Sequence, residues 1–383
     1  MSFNPKLDAL LWYPIYLMND ELYIKRALKL AAKAQGMTSP NPVVGAIIVK
    51  NGKLISEDFH RKAGGPHAEV LAIQKAGKNA KGSTLYVNLE PCCHTEKRTP
   101  PCTKAIINAG IKKIIIGMRD PNPKVSGRGI SELQSAGILV KSGVLEDDAK
   151  RLNEFYIKYI TTEKPFVILK IAMTLDGKIA TPEGQSKWIT GEKARRIVHR
   201  LRSRVDAILT AIGTIKADNP QLTARIKGGK NPQRIIIDPN LEIPLNARIL
   251  EIPPQTIIVV RKSAFSNQQS AVNKKRGILL NRGVHIIMYD GDKINLEWLM
   301  KRLGEMKITS VVIEGGSSLN AHALEDGIVD KVMLFIAPMI IGGRDSFPAV
   351  GGKTYKKLED AYRMRDVKIR RISADFLIEG YLK

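Results

Sequence analysis

The chain has 383 residues, and at about 150 residues per domain it should fold as two or three domains rather than one core. Hydrophobic residues make up 44% and charged residues 26%, which excludes a disordered or fibrous chain. A net charge of +24 favours phosphate-bearing ligands or nucleic acid without choosing between them.

In chain order, residues 1–17 read as an N-terminal extension whose apolar stretch, Leu10 to Leu17, is too short and too interrupted by Pro14 to span a bilayer. Asn19 and Asp20 then offer N-caps to a helix with Ile24, Ala27, Leu28 and Ala31 on one face, ended by Gly36. Strands at 43–49 and 53–55 flank Asn51-Gly52, the dipeptide best suited to a tight hairpin, where both turn residues need positive φ. A helix at 67–76, a strand at 84–89, a helix at 102–109 behind Pro100-Pro101 and a strand at 113–117 follow. A helix within 130–136 and a strand at 138–141 complete a layered α/β domain over 18–145 with a largely parallel sheet.

Residues 146–164 are mostly polar apart from one helical stripe and end at Lys164-Pro165, so they read as a linker to a second domain, 165–383. That domain shows strands at 166–172, 205–209, 234–237, 256–260, 284–288, 310–313 and 331–336, with helices at 192–202, 296–303 and 319–324. Its tail, 367–381, reads as two strands. With neither an internal repeat nor a low-complexity tract, two dissimilar domains in tandem are expected.

All three cysteines fall between Cys92 and Cys102, which excludes a disulfide scaffold and points to a metal or thiol site. His67-Ala68-Glu69 opens a helix, Pro91-Cys92 ends a strand, and Cys102 begins another helix. One imidazole and two thiolates suit a single zinc ion per chain with its fourth position open, and such an ion lowers the pKa of bound water. A helix N-terminus favours the Cys102 thiolate. Glu69, two residues from His67, is placed to carry protons without binding the metal. His-x-Glu followed by Pro-Cys and a second Cys marks the zinc-dependent deaminases. Cys93, beside Cys92, reads as a buried bystander.

Nucleic-acid deaminases keep about two residues between the zinc cysteines, whereas nine intervene here. The loop is basic, and Lys97, Arg98 and Thr99 are candidates for contacting a substrate phosphate. A nucleic-acid-binding deaminase is the alternative that the charge raises, and this loop argues against it.

Five motifs, Ser39-Pro40-Asn41-Pro42-Val43-Val44-Gly45, His60 through Glu69, Leu89-Glu90-Pro91-Cys92, Thr99-Pro100-Pro101-Cys102 and Arg119-Asp120-Pro121-Asn122-Pro123, resemble the bifunctional riboflavin-biosynthesis deaminase-reductases. In the second half the resemblance continues through Leu169 to Ala180, Ser186-Lys187-Trp188-Ile189-Thr190, Gly213 to Thr223 and Val312-Ile313-Glu314-Gly315-Gly316, covering about residues 18–383. It implies a cytidine-deaminase-like three-layer domain followed by a domain similar to dihydrofolate reductase. The first would deaminate 2,5-diamino-6-ribosylamino-4(3H)-pyrimidinone 5′-phosphate, and the second would reduce the ribosyl group to ribityl with NADPH.

By the same resemblance His67, Cys92 and Cys102 would bind zinc, Glu69 would shuttle protons, and Asn41, His60, Asp120 and Asn122 would line the pyrimidine-ribose pocket. Ala172, Trp188, Thr214, Asp218 and the run Gly316, Ser317, Ser318, Leu319, Asn320, Ala321 and His322 would hold NADPH, with the glycines letting backbone amides approach a phosphate. Ser186, Arg202, Leu222, Arg225 and Glu314 would hold the phosphorylated substrate. Lys170, Asp218 and Glu314 are the polar candidates for orienting or protonating the sugar. The resemblance also implies a homo-oligomer built through the reductase domain. The lack of a secretory signal pattern or a bilayer-length apolar run points to the cytoplasm.

Overall fold

The computed structural model describes residues 20–95, 100–266, 271–353 and 357–382. The chain divides into two units, Met1–Thr162 and Glu163–Lys383. Among the described residues no helix is long and apolar enough to cross a membrane. The expected N-terminal extension lies outside the described residues.

In the first unit, five strands, β1 (Gly45–Lys50), β2 (Lys53–Phe59), β3 (Thr84–Leu89), β4 (Lys113–Met118) and β5 (Leu139–Ser142), lie in the order β2-β1-β3-β4-β5. β2 and β3 run antiparallel to β1, while β3, β4 and β5 are parallel. The hairpin turns at Asn51 and Gly52, with φ of 51° and 73°, as that dipeptide requires.

Alternation along the strands builds two apolar layers. Ala46, Ile48, Leu85, Val87, Ile114 and Ile116 meet Ala68 and Ala72 of α2 (Ala68–Ala76), Ile106 of α3 (Cys102–Asn108) and Leu133 of α4 (Arg128–Ser135). On the opposite face Ile47, Val49, Tyr86 and Ile115 meet Ile24, Ala27 and Leu30 of α1, residues 20–31. Buried on both faces, β1, β3 and β4 are near-continuous apolar runs. Packing of α1 is tight enough that a Cβ on Gly45 would sit 2.2 Å from the Ala27 carbonyl.

The segment expected as a linker is part of this unit. Residues 146–162 form α5 (Glu146–Leu152) and α6 (Glu154–Thr162). Ala149 and Tyr156 are buried in the first layer, and Ile157 and Ile160 pack against it. The helical stripe in an otherwise charged sequence is therefore an amphipathic docking face. Asn153 completes the junction: its Oδ1 accepts from Val43 N at 2.9 Å and its Nδ2 donates to Val43 O at 3.2 Å.

The second unit holds β6 (Phe166–Thr174), β7 (Lys178–Ala180), β8 (Ala207–Ala211), β9 (Gln233–Ile237), β10 (Ile257–Arg261), β11 (His285–Tyr289), β12 (Ser310–Ile313) and β13 (Lys331–Ala337). β14 (Phe347–Pro348), β15 (Arg365–Ile372) and β16 (Asp375–Tyr381) complete it. Its nine-stranded sheet has the order β11-β10-β9-β8-β12-β6-β13-β16-β15, parallel except where β16 pairs with β13 and β15. Val167, Leu169, Leu209, Ile235, Val259 and Val311 face Leu299 and Leu303 of α10 (Leu296–Glu305) and Leu319 and Ala323 of α11 (Ser317–Glu325). Ile168, Ile208, Ile236, Ile258 and Val312 alternate with them and are also buried.

Beside the expected α7 (Glu192–Arg204), the structure adds α8 (Ile212–Asp218), α9 (Ala271–Asn281) and a β7/β14 ribbon. Residues 212–218 carry Gly213 inside one short turn, and β14 is two residues long. Neither length gives a readable period.

Asn153→Leu deprives the buried Val43 N–H of its acceptor. It should destabilise the first unit by about 1–3 kcal/mol in chemical denaturation. A freely hinged linker would show no change.

Candidate active sites

His67 is the N-cap of α2, and its Nδ1 lies 3.2 Å from Cys102 Sγ and 3.5 Å from Cys92 Sγ. All three donor atoms fall within 4.8 Å of one another. Tetrahedral zinc with Zn–N about 2.1 Å and Zn–S about 2.3 Å separates N from S by about 3.6 Å, so the donor set fits zinc in chemistry and spacing. Cys102 opens α3, and Thr103 N donates to Cys92 O at 3.3 Å, pinning one cysteine segment to the other. Cys93 turns its Sγ toward the Lys124 carbonyl, 3.9 Å away, and burial pushes its thiol pKa up.

Glu69 sits on the buried face of α2 with Ala68, Ala72 and Ala76. Its Oε2 is buried without a hydrogen-bond partner among the described residues, and burial raises its carboxyl pKa. An unpartnered buried carboxylate oxygen beside a metal-ligand trio calls for a proton donor on the ligand side.

The expected pocket residues fall into two pairs. His60 Nδ1 is 3.0 Å from the Pro66 carbonyl, so it carries the proton, and Nε2 faces Asn41 Nδ2 at 3.5 Å. The His60 ring stands 5.2 Å from the His67 ring, which brings this pair to the metal ligands. Asp120 Oδ1 accepts from Asn122 N at 2.9 Å and from the Tyr156 hydroxyl at 2.8 Å. Burial, with Glu90 and Cys92 nearby, lifts its pKa to about 6. Lys97, Arg98 and Thr99 lie outside the described residues.

Two supporting residues escaped the sequence reading. Tyr156 reaches Asp120 from α6, a segment read as a linker. Glu90, which the motif contains only as a neighbour of Pro91, accepts from Asp120 N, Gly127 N and Ile130 N at 3.1–3.2 Å. It thereby ties the end of β3 to the loop and helix behind it. At the same place a Cβ on Gly129 would lie 2.2 Å from the Pro91 carbonyl, so α4 rests directly on the residue before Cys92.

In the second unit Lys170 of β6, Arg202 of α7 and Glu314 after β12 converge. Arg202 donates through Nε to Glu314 Oε1 at 2.7 Å and through Nη2 to Oε2 at 2.9 Å, and Lys170 Nζ reaches Oε2 at 3.3 Å. Burial alone would raise the Glu314 carboxyl, but the two cations hold it well below the usual carboxylate range. A third Arg202 donor, Nη1, goes to the Thr223 carbonyl at 3.2 Å. The two residues expected to hold substrate are thus also held by each other.

Ser186 donates to Asp218 Oδ1 at 3.1 Å, and Lys187 Nζ lies 3.3 Å from the same atom. Trp188 is exposed with the Arg195 guanidinium 4.4 Å from its ring centroid. Ala172 of β6 and Thr214 of α8 are half-buried, Leu222 is buried and Arg225 is exposed. The expected run 316–322 divides. Gly316 is an extended N-cap and Ser317 and Ser318 open α11. Leu319 and Ala321 are buried, so their side chains serve packing. Asn320 Nδ2 donates to Ala349 O at 2.8 Å, and His322 Nε2 lies 3.2 Å from Asp326.

Residues 165–378 match the RibD C-terminal domain, and residues 17–118 match the cytidine and deoxycytidylate deaminase zinc-binding region. The riboflavin biosynthesis protein RibD of Aquifex aeolicus is 43% identical over 94% of this chain and 97% of its own length. That of Escherichia coli is 38% identical over 94% and 98%. The chain belongs to the RibD family. A solved RibD-family structure, the diaminohydroxyphosphoribosylaminopyrimidine deaminase/5-amino-6-(5-phosphoribosylamino)uracil reductase of Thermotoga maritima, superposes with a TM-score of 0.84. It is 38% identical and covers 96% of this chain and 99% of its own. The Acinetobacter baumannii RibD structure gives 0.85 at 35% identity, covering 95% and 99%. The RibD-family chain is accordingly a bifunctional deaminase and reductase of riboflavin biosynthesis, with a zinc-binding deaminase domain ahead of its reductase domain.

Purified protein should carry one zinc per chain by elemental analysis, lost in Cys92→Ser and kept in Cys93→Ser; equal retention in both would place the ligand elsewhere. Glu314→Gln leaves the buried Arg202 and the half-buried Lys170 without a counter-charge and should cost about 3–5 kcal/mol of reductase-unit stability. Because Glu314's folded pKa lies below its unfolded one, its stabilisation is complete above the ordinary carboxylate range. It is lost as pH falls through the depressed value. The variant's melting curve should lack that acid-side component.

Proposed function

We propose that the first unit removes an amino group hydrolytically from 2,5-diamino-6-ribosylamino-4(3H)-pyrimidinone 5′-phosphate. The second unit then reduces the ribosyl side chain with NADPH to give 5-amino-6-(5-phosphoribitylamino)uracil. The observation that carries this reading is the convergence of His67, Cys92 and Cys102 on one point beside the unpartnered Oε2 of Glu69. It is supported by the substrate words in the name of the Thermotoga maritima relative.

His67, Cys92 and Cys102 hold the zinc ion, which supplies a Lewis acid that makes water a nucleophile near neutral pH. Glu69 moves the protons: it takes one from the attacking water and passes it to the ring nitrogen, then takes the second from the newly added hydroxyl and passes it to the departing amine as the carbonyl forms and the C–N bond breaks. Asn41 and His60 on one side, and Asp120 and Asn122 on the other, hold the pyrimidine and its ribose. The fixed tautomer of His60 offers Nε2 as an acceptor.

In the reductase, NADPH when bound would supply the hydride that reduces the opened sugar at its anomeric carbon. Gly316, Ser317 and Ser318 receive a cofactor phosphate at the N-terminus of α11, and Ala172, Trp188, Thr214 and Asp218 hold the remainder. Lys170 stands beside Glu314 as the ammonium able to orient or protonate the sugar, and Asp218 serves with Ser186 in the same role. Ser186, Arg202, Leu222, Arg225 and Glu314 form the substrate side. The enzyme works as a homo-oligomer joined through its reductase units. Three cysteines, none of them in a disulfide among the described residues, fit the reducing cytoplasm.

Glu69→Gln should reduce ammonia release by a factor of about 10²–10⁴ while zinc content holds. NADPH oxidation on the already deaminated pyrimidine should continue at the wild-type rate. Normal ammonia release from this variant would remove Glu69 from the proton path.

A further inference from the structure

Three elements of the second unit meet at one place. His199 and Arg202 come from α7, the loop 219–226 follows α8, and a short turn, Arg248–Leu250, follows β9. The Thr223 carbonyl accepts from Arg202 and lies 3.2 Å from His199 Nδ1. Asn219 Oδ1 accepts from the backbone N of Arg248 at 2.9 Å, which fastens the turn to the loop carrying Leu222 and Arg225.

The charges at this junction do not balance. Glu314 is already shared by Arg202 and Lys170. Arg225 and Arg248 are both exposed, and among the described residues neither has a carboxylate within ion-pair distance. Burial, then Arg202, then Arg248, press the Arg225 pKa below its ordinary value, so Arg248 brings its charge to the same spot. The His199 pKa is likewise pushed down by burial and by Arg202 and Arg225. Two planar guanidinium groups beside a third form a field suited to a small dianion rather than a single carboxylate.

We propose that Arg248 is a further substrate-binding residue of the reductase, clamping a phosphate monoester together with Arg225. The inference rests on the reductase reading above and adds to it a residue that no motif in the sequence singled out. Two such phosphates exist in that reaction, the 5′-phosphate of the pyrimidine nucleotide and the 2′-phosphate of NADPH. The loop that Arg248 is fastened to carries Leu222 and Arg225, both on the substrate side, which favours the 5′-phosphate.

The test is steady-state reductase kinetics of the full chain with Arg248→Ala and Arg248→Lys. Substrates are the deaminated pyrimidine nucleotide and its dephosphorylated counterpart, each with NADPH and with NADH. Because Arg248 is tied into the fold through its backbone N, the alanine variant keeps that bond, and an unchanged melting temperature checks this. In Arg248→Ala the KM for the phosphorylated substrate should rise about tenfold or more with kcat held within about twofold. Arg248→Lys should recover part of the loss, and the dephosphorylated substrate should be indifferent to both changes. Loss of the NADPH-over-NADH preference, with the pyrimidine KM unmoved, would overturn the assignment to the pyrimidine substrate and move Arg248 to the 2′-phosphate of the cofactor. If neither quantity moves, or if the dephosphorylated substrate suffers equally, the proposal is wrong. A wild-type chain that oxidised no reduced nicotinamide would instead defeat the reductase reading itself.

Discussion

Three soft donors and a carboxylate must be brought together in a place that water would otherwise fill, and the first unit is arranged around that requirement. Burying thiolates and a carboxylate without a cation is costly, so the four side chains are intelligible as a set only with a metal among them. Each donor stands at the end of a regular element: His67 caps α2, Cys92 follows β3 and Cys102 starts α3. Rigid elements fix such a constellation better than loops do. The second layer of support is built from ordinary hydrogen bonds. Glu90 gathers three backbone amides behind Pro91-Cys92, and α4 approaches so closely that Gly129 has no room for a side chain.

The reductase unit solves a different electrostatic problem. Its central parallel strands are largely apolar on both faces, and the charges that enter gather at Lys170 within β6 and at Glu314 just past the end of β12. Glu314 follows β12 and is neutralised by Arg202 from a helix and Lys170 from the neighbouring strand β6. One carboxylate among several cations leaves a positive excess, and that excess suits a unit whose ligands carry phosphates. The overall surplus of basic residues, which alone could have pointed to nucleic acid, would have at least one local use in the proposed phosphate clamp.

Much of this was legible in the sequence, for identifiable reasons. Asn51-Gly52 requires a particular turn, and the buried strands announce themselves as β-branched runs bounded by turn residues. The metal trio could be read because its motif is local to three short segments. What escaped was information that only the folded chain contains. The stripe Ala149, Tyr156, Ile160 was visible at helical spacing, yet nothing nearby said that it would dock on the first sheet and deliver Tyr156 to Asp120. Arg202 and Glu314, 112 positions apart, were both expected at the substrate, and no local pattern joins residues so far apart into a pair. Arg248 sits in a three-residue turn with no motif, and its neighbourhood with Arg225 depends on Asn219.

The most direct measurement is X-ray absorption at the zinc edge on the purified full-length protein. A first shell of one nitrogen, two sulfurs and one light oxygen-like scatterer is the result the structure leads to. A shell of four sulfurs, or one with no sulfur, would contradict the account at its foundation.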